Sequence, residues 1–376
     1  MIEIQPPLER AILVSVPLRG SDHEIHAEEH LDELERLADT AGAEVAGRMI
    51  QRLRKISPKL LIGSGKLEEL GDMVASCDAT LVIFDEELSP VQGKNLENTL
   101  GVRLMDRAEL ILDIFATRAR TNEAKMQVEL AQMEYLLPRL ARMWTHLSRI
   151  RGGIGLRGPG ETQIETDRRL IRRKIGQLKR KLENVGRHRD VLRRGHERRG
   201  ILSAALVGYT NAGKSSLLRV LSGADVFVED RLFATLDTIA REVFVPPKGK
   251  IRLTDTVGFI RKLPHDLVAS FKATLEEVSR ADVLLHVIDA AHPDWEEQVA
   301  VVDRTMGDLS LNSRHVVHVF NKMDRIPNRD ELRARASHRY EDAVFVSALE
   351  PPVVDELKTK FVELVESYQS GRQVAG

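Results

Sequence analysis

At 376 residues the chain is long enough for two or three domains and a sizeable core. Its single cysteine, Cys77, excludes a disulfide framework and fits a reducing compartment. Apolar runs stay short of a membrane span, and the segment Met1 to Pro7 lacks the basic flank and hydrophobic stretch of a secretion signal, so a soluble cytoplasmic protein is expected. The net charge of −1 conceals an asymmetry: Arg139 to Arg199 holds 19 Arg or Lys against 6 Asp or Glu, leaving that stretch at +13 and the remainder at −14. A solvated helical face usually mixes signs, so the excess points to contact with RNA or DNA phosphates.

Residues 1–120 read as a small N-terminal α/β domain. Strands are expected at 11–16, 44–50, 80–84 and 102–105. Helices are expected near 26–40, 65–75 and 89–99, and from Arg107 onward. Strands separated by helices of this size imply a mainly parallel sheet.

Residues 121–199 have a different rhythm. Met126, Met133 and Leu140 recur at seven residues, with Leu130, Leu137 and Trp144 between or beyond them. Farther on, Ile164, Ile171, Leu178, Val185 and Leu192 repeat the spacing, with Ile175 and Leu182 interleaved. Two heptad-like stretches joined by a loop predict an antiparallel helical hairpin whose seam buries the apolar stripe and leaves the arginines outside. The loop, Arg151 to Glu161, carries too many glycines and a proline to continue either helix. Arg151, Gly152, Gly153, Gly155, Arg157 and Gly158 at this tip, with Arg172, Arg173 and Arg180 on the returning helix, are the candidate RNA contacts, because glycine backbone approaches phosphates closely and arginine pairs or stacks. Thr162 to Glu165 fits a capping box for that helix.

Residues 200–370 return to an α/β pattern, with a loose tail expected over 371–376. Strands are predicted at 201–207, 241–247, 250–255, 283–289, 315–320 and 343–347. Helices are predicted at 214–222, 267–280, 294–307, 329–338 and 352–367. After the first of these strands comes Gly208-Tyr209-Thr210-Asn211-Ala212-Gly213-Lys214-Ser215-Ser216, in the strand, phosphate-loop and helix order of a nucleoside-triphosphate site. Its amides can turn around phosphate oxygens, Lys214 can meet the β and γ phosphates, and the Ser215 hydroxyl can ligate Mg²⁺. Asp255-Thr256-Val257-Gly258 ends a strand about forty residues later. There Asp255 can hold Mg²⁺ through water and the Gly258 amide can sense the γ-phosphate.

Asn321-Lys322-Met323-Asp324 supplies a base reader. Asp324 can accept from guanine N1 and N2 where adenine cannot reciprocate, Asn321 can brace the phosphate loop, and the Lys322 stem can cover the ring. Ser347-Ala348 can offer backbone support to guanine O6. Together these residues specify GTP over ATP. Between Lys214 and Asp255 a mobile switch is expected, with Thr235 chosen as the Mg²⁺ ligand that senses the γ-phosphate and Thr238 as the alternative. Lys214, Thr235 and Gly258 are then the groups that act on the reacting phosphate. Phe259 occupies the place of the usual water-orienting glutamine and can neither accept nor donate a proton, so hydrolysis by the protein alone is expected to be slow and stimulated by a partner.

The chain resembles the HflX family of ribosome-associated GTPases, which belongs with the translation GTPases that carry a hydrophobic residue in place of the catalytic glutamine. The likeness rests on Gly63 to Leu70, Phe84 to Pro90, Asn95 to Glu97, Asp113 to Ala119, Gln127 to Gln132, the glycine-rich tip and the nucleotide motifs. It implies binding of the 50S subunit and the 70S ribosome, a helical tip that reaches the peptidyl-transferase region of 23S rRNA, and separation of stalled or idle ribosomes in the GTP state. It also implies a second nucleotide site, for ATP, in the N-terminal domain. Gly63 to Lys66 is the one hint of phosphate contact there, and a capping turn accounts for it equally well. Asn211 matches a position that supports K⁺ in related GTPases, with an ordinary loop hydrogen bond as the alternative. The sequence departs from the family at Leu236 to Arg241, which lacks a proline after Asp237, and at Leu349 to Pro352, where a Lys- and Gly-containing turn is more usual. An RNA-remodelling ATPase and a non-catalytic, GTP-controlled RNA-binding switch are the competing accounts.

Overall fold

The computed structural model describes residues 9–140, 159–197, 201–224, 229, 231–247, 249–262, 277–311, 314–350 and 355–375. The chain divides into two compact units, one of residues 1–117 and 125–180, the other of residues 118–124 and 181–376.

In the first unit a four-stranded sheet has the order β2-β1-β3-β4, built from β1 (Arg10–Ser15), β2 (Glu44–Ile50), β3 (Leu81–Phe84) and β4 (Arg103–Asp106). Every pairing is parallel, as the alternation of strands and helices requires. The central strands β1 and β3 are buried on both faces, which is why they read as unbroken apolar runs rather than alternating ones. The intervening helices are α1 (Ala27–Ala41), α2 (Ser64–Ser76), α3 (Pro90–Leu100) and α4 (Arg107–Arg118). Ile12, Val14, Val82 and Phe84 pack with Leu67 and Leu70 of α2 and Leu96 of α3. Ser89 caps α3 in a reciprocal box with Gln92.

A buried ionic knot closes the carboxyl end of this sheet. The Arg107 guanidinium lies between Glu33 of α1 and Asp85, which follows β3, at 2.7 Å from Asp85 Oδ1. All three side chains are nearly inaccessible, so their charges are supportable only together.

The hairpin helices are α5 (Asn122–Leu136), continued by a 3₁₀ turn over Leu137–Arg139, and α6 (Pro159–Glu197). Arg139 lies 3.7 Å over the Tyr135 ring and donates to Leu88 O at 2.9 Å, fastening the end of α5 to the loop after β3. Glu129 and Glu134 of α5 pair with Lys174 and Lys179 of α6, and Leu178 between them is buried. The expected start of the returning helix needs correction. α6 begins at Pro159, ahead of the Thr162 box, because proline at the first helical position lacks only an N–H that would be unbonded anyway.

In the second unit a six-stranded sheet has the order β10-β9-β8-β5-β7-β6. Its strands are β5 (Leu202–Gly208), β6 (Ile239–Val245), β7 (Gly249–Asp255), β8 (Val283–Asp289), β9 (His315–Asn321) and β10 (Ala343–Phe345). All neighbours are parallel except β6, which returns antiparallel along β7. β6 stops two residues earlier than the sequence predicts, since Pro246 and Pro247 form the turn and have no ladder donor to offer. One face is covered by α7 (Lys214–Ser222) and α10 (Asp355–Ala375), through Leu217, Leu218, Leu357 and Phe361. The other is covered by α8 (Trp295–Asp308) and α9 (Arg329–Arg339), through Trp295, Val299 and Leu332 against Phe320. α10 runs on through Ala375, past Gly371 where a loose tail is expected, because Gln373 to Ala375 contain no breaker. The predicted helix at 267–280 falls largely outside the described residues. Among the described residues no helix is long and apolar enough to cross a membrane.

Arg107→Ala should cost the full-length protein about 3–5 kcal/mol, because it leaves two buried carboxylates facing each other. A urea midpoint for the first unit's transition matching that of the unmodified protein would show the knot to be dispensable.

Candidate active site

The carboxyl ends of β5, β7, β8 and β9 converge on an open cleft of about 1000 Å³ that includes its mouth. This is where ligands bind in open α/β sheets, since strand ends and helix N-termini meet there. The phosphate loop connects β5 to α7. Gly213 has φ +94°, and a Cβ on it would stand 2.2 Å from Asn321 Nδ2, so glycine is the residue this position accepts. That Asn321 amide donates to Ala212 O at 2.9 Å, while its oxygen accepts from the Ala348 N–H at 3.2 Å. One side chain therefore ties the phosphate loop to the loop after β10.

Lys214 opens α7 and folds back over its own loop, donating to Gly208 O at 3.1 Å and Tyr209 O at 2.8 Å. Burial pushes its ammonium down to about 8, with Asp255 opposing the shift and Lys322 adding to it. Burial likewise raises the Asp255 carboxyl, against the pull of Lys214 and the hydrogen bond from Ser215. Both groups lie in a pocket that resists isolated charge and would welcome an opposite one.

Ser215 Oγ donates to Asp255 Oδ2 at 2.5 Å and lies 2.6 Å from Thr235 Oγ1. Of the two threonines expected in the switch, Thr235 is the one whose hydroxyl stands beside Ser215. Asp255 Oδ1 is buried without a hydrogen bond. Two hydroxyls and a carboxylate make a hard oxygen set that fits Mg²⁺, which takes few protein ligands and completes its shell with water and phosphate. In keeping with that, no group of three or more His, Cys, Asp or Glu among the described residues is arranged to hold a metal unaided.

Gly258 packs against the loop so closely that a Cβ would meet Thr210 Cα at 2.7 Å and Lys214 Nζ at 2.9 Å. Its neighbour Phe259 is buried, and its backbone is bridged to the phosphate loop at both ends, N–H to Gly208 O at 3.0 Å and C=O from Thr210 N–H at 2.8 Å. The residue is 3 % exposed and is not among those lining the cleft.

At the other end of the cleft, Asp324 Oδ1 accepts from Ser347 Oγ at 2.6 Å, and Ala348 lines the wall. Asn211 and Ser216 also line the cleft, Asn211 with a left-handed backbone (φ 60°). The Lys322 ammonium is held by Asp289 Oδ2 at 2.7 Å, which sets the course of its stem. Asp289 was not singled out by sequence reasoning; its position at the end of β8 was the available signal. Glu229 and Arg231 at the cleft were missed as well, and they carry no motif.

The RNA-contact candidates divide. Arg172, Arg173 and Arg180 are exposed on α6, whereas Arg151, Gly152, Gly153, Gly155, Arg157 and Gly158 lie outside the described residues. In the first unit, Lys66 pairs with Glu69 at 2.6 Å and the Gly63 N–H donates to Gln51 Oε1 at 3.1 Å, so Gly63 to Lys66 forms the opening turn of α2.

Comparison with known proteins bears on this cleft directly. Residues 28–116 match the family described as GTP-binding GTPase N-terminal, residues 118–196 its middle region, and residues 203–322 the 50S ribosome-binding GTPase family. GTPase HflX of Caldanaerobacter subterraneus subsp. tengcongensis is 47% identical over 378 residues, covering 99% of this chain and 87% of that protein. GTPase HflX of Escherichia coli K12 is 46% identical over 320 residues, covering 85% and 75%. The chain belongs to the HflX family of GTPases. Among solved structures, the SsGBP complex with GDP aligns with a TM-score of 0.51 at 25% identity, over 96% of this chain and 99% of that one. The chain is accordingly a GTP-binding protein and a GTP hydrolase, with the Mg²⁺ dependence that this domain carries.

The folded protein holds the Lys214 proton less tightly than the unfolded chain does, so this group's contribution to stability rises as pH climbs through about 8 toward 10.5. Phosphate charge beside Lys214 reverses that shift. GTP binding at pH 9 should therefore take up most of one proton, falling away by pH 7, when followed by calorimetry in buffers of different ionisation enthalpy. Proton uptake that does not change across this range would show that Lys214 stays charged throughout.

Proposed function

We propose that this GTPase binds the large ribosomal subunit and the 70S ribosome and separates stalled or idle ribosomes when loaded with GTP. The observation that carries the reading is α6. Arg169, Arg172, Arg173, Arg180 and Lys181 are exposed along one helix of a chain whose remainder is acidic, and the helix from Lys181 on belongs to the same compact unit as the GTPase sheet. A cationic rod of this kind suits the phosphates of structured RNA, where backbone charge supplies most of the affinity and makes it depend on salt. The family described as 50S ribosome-binding GTPase supports the choice of RNA.

In this reading Lys214 and the phosphate-loop amides hold the triphosphate, and Ser215, Thr235 and Asp255 place Mg²⁺. The Gly258 amide follows the γ-phosphate, and Asp324 with Ser347 and Ala348 selects guanine. Mg²⁺ supplies positive charge where negative charge builds on the phosphate oxygens. Water attacks the γ-phosphorus, the bond from that phosphorus to the bridging oxygen breaks, and GDP and phosphate leave. No side chain described at the cleft replaces the missing glutamine, so the rate rests on charge placement and on how well the switch is ordered. Ribosome contact supplies the ordering.

Sedimentation of purified ribosomes with the protein and GTP, a non-hydrolysable analogue or GDP tests the reading. Free subunits are expected with GTP and with the analogue and not with GDP. Binding should fade as salt rises, and more steeply for the native protein than for Arg172→Ala/Arg173→Ala/Arg180→Ala. Intact 70S particles in every nucleotide state would overturn it.

A further inference from the structure

The segment between α4 and α5 is fastened to the switch at two points. At one, the Arg118 guanidinium pairs with the Glu229 carboxylate. At the other, the Asp237 carboxylate accepts the Arg120 N–H at 3.0 Å and the Thr121 N–H at 3.3 and 3.4 Å, and also receives the Thr121 hydroxyl proton. Thr121 Oγ1 in turn accepts the Ala124 N–H at 3.1 Å, so it caps the first turn of α5. Asp237 thus lies off the N-terminus of α5, where its charge meets unbonded amides and the positive end of the helix. Residues 118–124 belong to the same compact unit as the GTPase sheet.

The other side of this fastening is the nucleotide site. Thr235 stands two residues before Asp237, with its hydroxyl 2.6 Å from Ser215 Oγ, and Glu229 lines the same cleft. Glu229 and Asp237 are thus both held by residues 118–121, and Thr235 lies close to the second of them. A two-residue tether leaves Thr235 little freedom once Asp237 is fixed, since consecutive Cα atoms lie about 3.8 Å apart.

We infer that Arg118, Thr121 and Asp237 are positioning residues for GTP hydrolysis, holding Thr235 at its Mg²⁺ and γ-phosphate station through the cap of α5. The inference rests on the reading of Thr235 given above and extends it to the hairpin. A force that moves the first turn of α5 shifts Thr235, and γ-phosphate captured by Thr235 steadies that turn. The two effects are equal in binding free energy by linkage.

The test uses the full chain without ribosomes. Thr121→Ala and Asp237→Ala should lower kcat for GTP hydrolysis about tenfold, raise the half-saturating Mg²⁺ concentration, and weaken a non-hydrolysable GTP analogue several-fold while leaving GDP affinity within about twofold. Thr121→Ser, which keeps the hydroxyl, should restore all three. Equal loss of analogue and GDP binding with a lowered Tm, not rescued by Thr121→Ser, would reduce the contact to a structural one and overturn the inference. Unchanged kcat and Mg²⁺ dependence in both alanine variants would overturn it as well. If the parent protein itself shows no Mg²⁺-dependent preference for the analogue over GDP, the reading of Thr235 fails first.

Discussion

The Asn321 side chain is the constraint on which the nucleotide cleft depends. It is buried, it spans from the phosphate loop to the loop after β10, and it makes one hydrogen bond with each. A buried amide with only one end satisfied is costly, so the two loops are held in register by the penalty of parting from it. Gly213 follows from the same contact, since any Cβ there would occupy the amide's position. Lys214 and Asp324 lie far apart in sequence, yet both line the single cleft that this amide braces.

Chemistry at the cleft is organised by burial rather than by an acid or a base. Lys214 and Asp255 are both pressed toward neutrality by their surroundings, and each partly offsets the other. Such a pocket gains most when an outside charge of the right sign and shape enters it, which is what a triphosphate with a divalent cation brings. Phe259 fits this scheme: it is buried, and its backbone bonds hold Gly258 near Lys214. The rate is thereby left open to control by whatever orders the switch.

Much of this was legible in the sequence because local rules and tertiary demands agree. Strands β1, β3 and β8 show as largely apolar runs, since a parallel sheet covered on both faces leaves them no solvated side. The phosphate loop, Asp255 and the Asn321 to Asp324 run declare themselves by residue type and order. Where reading along the chain fell short, either a proline at an element's edge or a distant partner was responsible. The start of α6 at Pro159 and the end of β6 at Val245 turn on one proline each, a margin of two or three residues that patterning does not resolve. Glu33, Asp85 and Arg107 read as ordinary surface charges until the sheet brings them together.

The sequence alone determined the fold class and the nucleotide and nominated the groups proposed to meet it, because those depend on periodicity and on a few spacings within short segments. Tertiary structure alone placed the Thr235 hydroxyl beside Ser215, brought Asp289 to Lys322, and set Asp237 against the cap of α5. Each of those is a contact between segments separated by tens of residues or more. Their geometry follows from how sheets and helices stack, and no local propensity encodes it.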